Sequence, residues 1–307
     1  MSATDPDRDR DRDRDPDPDP EPGSGLDPVE NVVATIARSA AEIRQGLVGR
    51  RGKADEENPS GEVQAEADVW ADELLADRLT SIDGVGQYAS EERSEIIDGG
   101  DEQVYVAVDP LDGSSNLQSN NTMGTVFGIY EEPLPAPGTA LVASGWILYG
   151  PITTMAYARD GSVTKYELTG GERTVVEEEI TLPDDPLVYG FGGRVPHWHD
   201  EFRTYVREIE SNPDHKLRYG GAMIGDVNQV LTYGGIFAYP ALEDSPRGKL
   251  RLQFECNPIA YLIEAAGGRS SDGSQSILEV EPTDLHDRAP LHVGNAELID
   301  RLEDALA

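Results

Sequence analysis

Hydrophobic positions along the chain repeat with two different periods. Val29, Val32, Val33, Ile36, Ala40, Ile43 and Leu47 fall three or four residues apart, which predicts an amphipathic helix ending near Leu47. Asp27 can cap it, Pro28 suits its first position, and Glu30 completes a capping-box-like start. Val69, Trp70, Leu74, Leu75 and Leu79 predict a second helix from about Val63 to Leu79, with the Gly-rich, charged stretch 49–61 as a loop between the two. From Val104 the pattern changes to short β-branched apolar runs. Val104–Val108, Thr125–Tyr130, Ala140–Leu148, Thr153–Ala158 and Val163–Leu168 read as strands, the last two joined by a turn at Arg159–Ser162. A strand at Leu187–Phe191 opens the second half, and a helix follows it to about Glu210. Residues 216–240 read as strand, helix and strand, with Met223, Val227, Val230 and Leu231 on the buried helix face. A further helix is capped by Asn257-Pro258 and ended by Gly267-Gly268. Closing strands are expected at Ile277–Val280 and within 285–294, then a last helix at Glu297–Leu306. This order implies an α/β, or α+β layered, fold in which mixed sheets alternate with helix layers. Three segments emerge: a tail at 1–25, a first half at 26–180 and a second half at 181–307. The polar, acidic, Pro-containing stretch 169–186 marks the boundary between the halves.

Composition narrows the function. The 307 residues carry 25 basic and 59 acidic side chains, a net charge of −34. No such chain neutralises a phosphate backbone, so general nucleic-acid binding is excluded and an anionic membrane is disfavoured. Only Lys53, Lys165, Lys216 and Lys249 are lysines. An acidic, Lys-poor surface suits a high-salt cytoplasm, where salt screens the repulsion between carboxylates. The Asp-Arg and Asp-Pro repeats of residues 1–25 contribute −5 and predict disorder, so the folded part is itself acidic. Cys256 is the only cysteine, which excludes an intrachain disulfide and points to a reducing compartment. No apolar run reaches the roughly 18 residues that span a bilayer, and the charged N-terminus is no signal peptide. A cytoplasmic protein is the expectation.

Chemistry concentrates at Asp109-Pro-Leu-Asp-Gly-Ser-Ser-Asn116, directly after a buried strand. Asp109, Asp112 and the Leu111 carbonyl suit a hard divalent ion. Backbone N–H groups after Gly113, with the Ser114 and Ser115 hydroxyls, suit phosphate oxygens. A cation site beside an anion site suggests metal-assisted phosphoryl chemistry. An ordinary Asp-Gly turn explains a fragment of this run far better than it explains all eight residues.

The run resembles the signature of the Mg²⁺-dependent sugar phosphatases that include fructose-1,6-bisphosphatases and inositol monophosphatases. Lys249-Leu-Arg-Leu-Gln-Phe-Glu-Cys-Asn-Pro258 is similar to class I fructose-1,6-bisphosphatases, where inositol monophosphatases carry a Trp-Asp pair. The resemblance covers about residues 27–306. It implies that Glu91, Asp109, the Leu111 carbonyl, Asp112 and Glu255 hold two or three Mg²⁺ ions, with Mn²⁺ as an alternative. It implies that Asp68 and Glu92 act on the attacking water, and that Asp112, Gly113, Ser114 and Ser115 hold the reacting phosphate. Tyr219, Tyr239 and Lys249 would bind the distal phosphate of a sugar bisphosphate, and Arg218 would reach a neighbouring subunit of a homotetramer. Lys249 stands out as one lysine of four, a fit for a phosphate-binding point charge.

The chain departs from the family at Gly190-Phe-Gly-Gly-Arg-Val-Pro, where Gly192 and Gly193 lie near the usual Asn that contacts the distal phosphate. Backbone N–H groups or Arg194 are the candidate replacements. The implied reaction is hydrolysis of the 1-phosphate of fructose 1,6-bisphosphate. The alternatives are a sedoheptulose 1,7-bisphosphatase or broad sugar bisphosphatase, and a catalytically inactive binding protein. His197, His199, His286 and His292 are expected to be exposed or structural.

Overall fold

The structure is a computed structural model that describes residues 27–57, 59, 63–100 and 103–307. The acidic tail at 1–25 lies outside the described residues. The first half contains helices α1 (Pro28–Gly46) and α2 (Glu66–Leu79). Its strands are β1 (Lys53–Glu57), β2 (Val63–Ala65), β3 (Val85–Ser90), β4 (Ile97–Asp98), β5 (Val104–Asp112) and β6 (Met123–Tyr130). They continue with β7 (Leu141–Tyr149), β8 (Thr153–Arg159), β9 (Ser162–Thr169) and β10 (Glu172–Glu177). The second half contributes β11 (Val188–Phe191), α3 (Asp200–Ser211), β12 (Lys216–Leu217), α4 (Met223–Tyr233), β13 (Gly235–Tyr239) and β14 (Leu250–Arg251). It closes with α5 (Asn257–Ala265), β15 (Arg269–Ser271), β16 (Arg288–Ala289), β17 (Leu291–Gly294) and α6 (Ala296–Leu306).

Strands β3 to β10 form an eight-stranded mixed sheet in the order β10-β9-β8-β7-β6-β5-β3-β4, in which β3 and β5 run parallel. Five strands form a second mixed sheet, β12-β11-β13-β17-β15. Helices α1 and α2 cover one face of the large sheet and close a core around Ile36, Leu75, Val106 and Phe127. Helices α4 and α5 lie between the two sheets, packing Val227, Val230, Ile259 and Ile263 against Trp146 and Phe237. Helices α3 and α6 cover the outer face of the small sheet with Phe202, Tyr205, Ile299 and Leu302. The result is an α/β/α/β/α layering, an α+β layered fold of mixed sheets as the sequence implies.

Local differences from the pattern have local causes. The stretch read as loop 49–61 contains β1, and α2 starts at Glu66 rather than Val63 because Val63–Ala65 pairs with β1 as a short hairpin. Asp27 caps α1 through a 2.9 Å bond from Glu30 N–H, but the Glu30 carboxylate accepts from Tyr157 at 3.1 Å instead of closing a capping box. Residues 169–186 are not wholly connecting chain, since β10 forms the edge of the large sheet there. Ile277–Glu279 is a 3₁₀ turn rather than a strand. Asn257 is not a cap: α5 is entered from a π-helical turn at Leu252–Cys256, with Asn257 and Pro258 already helical.

The irregularity that matters most is in β5. Pro110 does not end the strand, which runs on to Asp112. Asp109 pairs with Val126 and Asp112 with Gly124, so three steps on β5 face two on β6. In a regular strand residues three apart point to opposite faces. The extra residue of this bulge cancels that parity and turns both aspartates to one side. The bulged carbonyl of Pro110 is satisfied by the Thr125 hydroxyl at 2.8 Å, which accepts in turn from Tyr149 at 2.8 Å. Thr125→Val removes this brace from a fully buried site. It is expected to cost about 1–3 kcal/mol, read as a lower midpoint of denaturant unfolding in molar KCl.

Candidate active site

At the C-terminal ends of β3 and β5, the two halves enclose a cavity of about 320 Å³. Asp68, Glu91, Glu92, Asp109, Leu111, Asp112, Gly113, Ser114 and Ser115 line it from the first half. Tyr219, Tyr239, Lys249 and Glu255 line it from the second. Of the residues singled out in the sequence, Arg218 does not line the cavity. It is exposed, and its guanidinium donates to the Leu217 carbonyl at 3.0 Å.

Each carboxylate is aimed by a backbone feature. The β5 bulge presents Asp109 and Asp112, and an Asp109 oxygen accepts Leu111 N–H at 3.0 Å. Glu91 leaves the end of β3, where its N–H donates to Val108 at 3.1 Å. Glu255 sits in the π-helical turn before α5, and its carboxylate accepts Arg251 N–H at 2.5 Å. Glu91, Asp109 and Glu255 each place an oxygen within 4.8 Å of the others'. Asp68 lies in the first turn of α2, where it accepts Ala65 N–H at 2.8 Å. Glu92 accepts from Gln64 Nε2 at 2.5 Å.

Most of these acids are largely buried, with little of each carboxylate exposed on the cavity wall. Burial, then Glu91, Asp112 and Glu255, hold Asp109 well above the usual carboxylate range. Burial, then Glu91 and Asp112, do the same to Glu255. Burial pushes Asp112 up to about 7 against the opposing Ile224 N–H bond. Glu92 rises to about 8 through burial and the nearby Asp68 and Glu91, and Asp68 rises to about 6 through burial. Such a group is stable as a set of charges only around a cation. An all-oxygen donor set of this kind fits a hard divalent ion.

Gly113 opens the phosphate-side turn with φ 76°, and a Cβ there would lie 2.2 Å from that of Ala222. Ser114 and Ser115 follow in a short 3₁₀ turn. Asn116 is a strut rather than a lining residue: its Nδ2 donates to the Thr122 carbonyl at 2.8 Å and to Gly220 at 3.1 Å. Asp112 also bridges the halves, because its Oδ2 accepts Ile224 N–H at the start of α4, at 2.7 Å. Around Gly192 the candidate replacements for the family's Asn are not at hand. The Gly192 N–H donates to Ala238 at 2.8 Å, and Arg194 is exposed and off the cavity wall. The Tyr239 ring occupies the space instead, 2.3 Å from where a Cβ at 192 would sit.

Family models for the N-terminal and C-terminal domains of fructose-1,6-bisphosphatase match residues 26–177 and 182–307. The chain belongs to the fructose-1,6-bisphosphatase family. It is 61% identical over 282 residues to the class 1 fructose-1,6-bisphosphatase of Natronomonas pharaonis, covering 91% of this chain and 99% of that protein. Its identity to the Halobacterium salinarum class 1 fructose-1,6-bisphosphatase is 55%, covering 91% and 98%. Among solved structures, Leishmania major fructose-1,6-bisphosphatase in holo form superposes with a TM-score of 0.82 at 29% identity, covering 91% of this chain and 92% of that one. A divalent metal belongs to a fructose-1,6-bisphosphatase, and the acidic cluster here has the donors for it.

Sequence reasoning missed two residues of this fructose-1,6-bisphosphatase site. Arg251 is 2% exposed, and its Nη2 lies 3.4 Å from Glu91 Oε1. An arginine inside the apolar run Leu250–Phe254 was the available signal. Gln64 falls within the helix expected from about Val63 and lies instead on β2.

The raised carboxylates set a sign for the metal-free protein. Between the unfolded value of about 4 and folded values of about 6 to 8, the folded state binds more protons than the unfolded one. Stability therefore falls as pH rises through this window. Melting temperatures with EDTA should drop from pH 5 to pH 8.5, while those with saturating Mg²⁺ should not, so the gap widens with pH. A gap independent of pH would contradict this electrostatic account.

Proposed function

We propose that this chain hydrolyses the 1-phosphate of fructose 1,6-bisphosphate to fructose 6-phosphate and phosphate, with Mg²⁺ as the resident ion. The observation that carries the reading is the convergence of Glu91, Asp109, Asp112 and Glu255 on a cavity that Tyr219, Tyr239 and Lys249 also line. Carboxylates and phosphate-binding groups lining one cavity fit a sugar bisphosphate. Family membership at 61% identity supports the same substrate.

In this reading Glu91, Asp109, Asp112, Glu255 and the Leu111 carbonyl hold two or three ions. Bound there, divalent ions supply Lewis-acid polarisation of the phosphate and charge neutralisation. Ser114, Ser115 and the backbone after Gly113 orient the reacting phosphate through hydrogen bonds. Asp68 and Glu92 take the proton of the attacking water, and their raised proton affinity suits a general base near neutral pH. Lys249 provides a point charge for the distal phosphate, and the tyrosines orient it, so remote binding energy aligns the scissile bond. Arg218, exposed and pointing away from its own cavity, fits the reading of a residue offered to a neighbouring subunit of a tetramer. The acidic, Lys-poor composition and the haloarchaeal relatives support a cytoplasmic enzyme adapted to high salt. No helix among the described residues is long and apolar enough to cross a membrane.

Phosphate release from fructose 1,6-bisphosphate with Mg²⁺ in molar KCl is the direct test. Asp112→Ala should lower kcat by more than about 100-fold, and saturating Mg²⁺ should not restore it. Lys249→Ala should raise KM about 10- to 100-fold with a smaller effect on kcat. Absence of turnover by the folded parent chain would refute the assignment.

A further inference from the structure

The turn that carries Glu91 and Glu92 is held from beneath by a carboxylate with no place in the chemistry above. Asp72 lies one helical turn after Asp68 on α2, on the same face, and is 3% exposed. Tyr88, fully buried on β3, donates its hydroxyl to Asp72 Oδ1 at 2.9 Å. Arg93 Nε lies 2.6 Å from Asp72 Oδ2. The Ser90 side chain also hydrogen-bonds Asp72. Its Oγ accepts the Glu92 N–H at 3.2 Å. Asp72 thus grips both ends of the four-residue turn Ser90–Arg93 and reaches the backbone of its middle through Ser90. A second grip comes from the other half, since His286 Nε2 meets the Arg93 carbonyl at 2.8 Å.

We propose that Asp72, paired with Arg93, is a positioning residue: it clamps the Ser90–Arg93 turn to α2 so that Glu91 faces Asp109 and Glu255 while Glu92 faces Asp68. The pair touches neither the cavity nor any metal-binding oxygen. It acts by fixing the orientation of two carboxylates that repel each other and their neighbours. Nothing in catalysis requires a buried acid at this place. Its ion pair with Arg93 runs across from α2 to the turn and so opposes movement of the turn when the carboxylates around it change charge. The clamp also fixes Glu91 and Asp68 relative to one another, since α2 carries both Asp68 and Asp72. This inference rests on the reading of Glu91, Asp109 and Glu255 as the metal site.

The test is calorimetric Mn²⁺ binding by the full chain without substrate, with steady-state kinetics alongside. The variants are Asp72→Ala, Asp72→Asn, Arg93→Ala and Arg93→Lys, with Asp109→Ala as control. Asp72→Ala and Arg93→Ala should weaken Mn²⁺ binding about 10- to 100-fold and lower kcat, with KM for the sugar bisphosphate within about twofold. Arg93→Lys, which keeps the charge, should recover most of the binding. Asp72→Asn keeps one acceptor oxygen, enough for the Tyr88 hydroxyl, and should lose less than Asp72→Ala. Should Asp72→Ala fail to fold, Asp72→Asn and Arg93→Ala decide the matter. Mn²⁺ affinity within twofold of the parent in the folded clamp variants, with binding lost in Asp109→Ala, overturns the clamp alone. Undiminished binding in Asp109→Ala overturns the metal-site reading, and the clamp falls with it.

Discussion

The constraint on which this structure depends is the repulsion among carboxylates buried side by side in the wall of one cavity. Glu91, Asp109, Asp112 and Glu255 converge within one small cavity, and burial and mutual repulsion raise the proton affinity of the last three. A chain would separate such groups if its backbone allowed it. Here it does not, because each is pinned by a hydrogen bond from the main chain or by a rigid element end. The cluster is therefore preorganised for a cation, and the cost of assembling it is met by the cores on either side. The acidity of the outer surface is a different matter. Surface carboxylates are relieved by dissolved salt, whereas those buried in the cavity wall are screened much less and favour an ion held between them.

Two departures from regular geometry do the aiming. The bulge in β5 corrects the parity that would otherwise send Asp109 and Asp112 to opposite faces of the sheet. The π-helical turn before α5 inserts Glu255 ahead of a regular helix, consistent with the tendency of such turns to occur at functional sites. Both irregularities are supported by buried polar contacts. Thr125 and Tyr149 brace the first. Gln253, within the second, accepts the Tyr130 hydroxyl at its backbone carbonyl at 3.1 Å and Ala136 N–H at its side-chain Oε1 at 2.9 Å.

The layered fold was legible in the sequence because its helices are amphipathic and its central strands are apolar. Val104–Val108 and the α1 stripe could hardly have packed otherwise. Many of the residues that line the cavity were legible through the Asp109–Asn116 run and the 249–258 block, whose spacing resembles the family's. What was hidden is what depends on tertiary pairing. Val63–Ala65 has no strand signal of its own and becomes β2 only by pairing with β1. Neither the bulge nor the π turn has a local signature; the bulge exists only in the register of β5 against β6. Arg251 and Gln64 were overlooked because a single polar residue in an apolar or charged stretch does not announce its partners. Near Gly192 the sequence offers backbone N–H groups or Arg194 as replacements for the family's Asn, whereas the space beside Gly192 is taken by the Tyr239 ring from β13.

Asp112 has two oxygens and two obligations. One faces the cluster of acids; the other accepts the N–H of Ile224, at the start of the helix that follows Tyr219. An ion drawing on this carboxylate and a sugar phosphate seated against Tyr219 therefore act on the same side chain from opposite ends. Any adjustment of α4 that improves one fit alters the other. Thermodynamic linkage makes that relation reciprocal: whatever factor the ion contributes to sugar affinity, the sugar must return to ion affinity. On the function proposed above, ion and sugar bisphosphate would be effectors of each other.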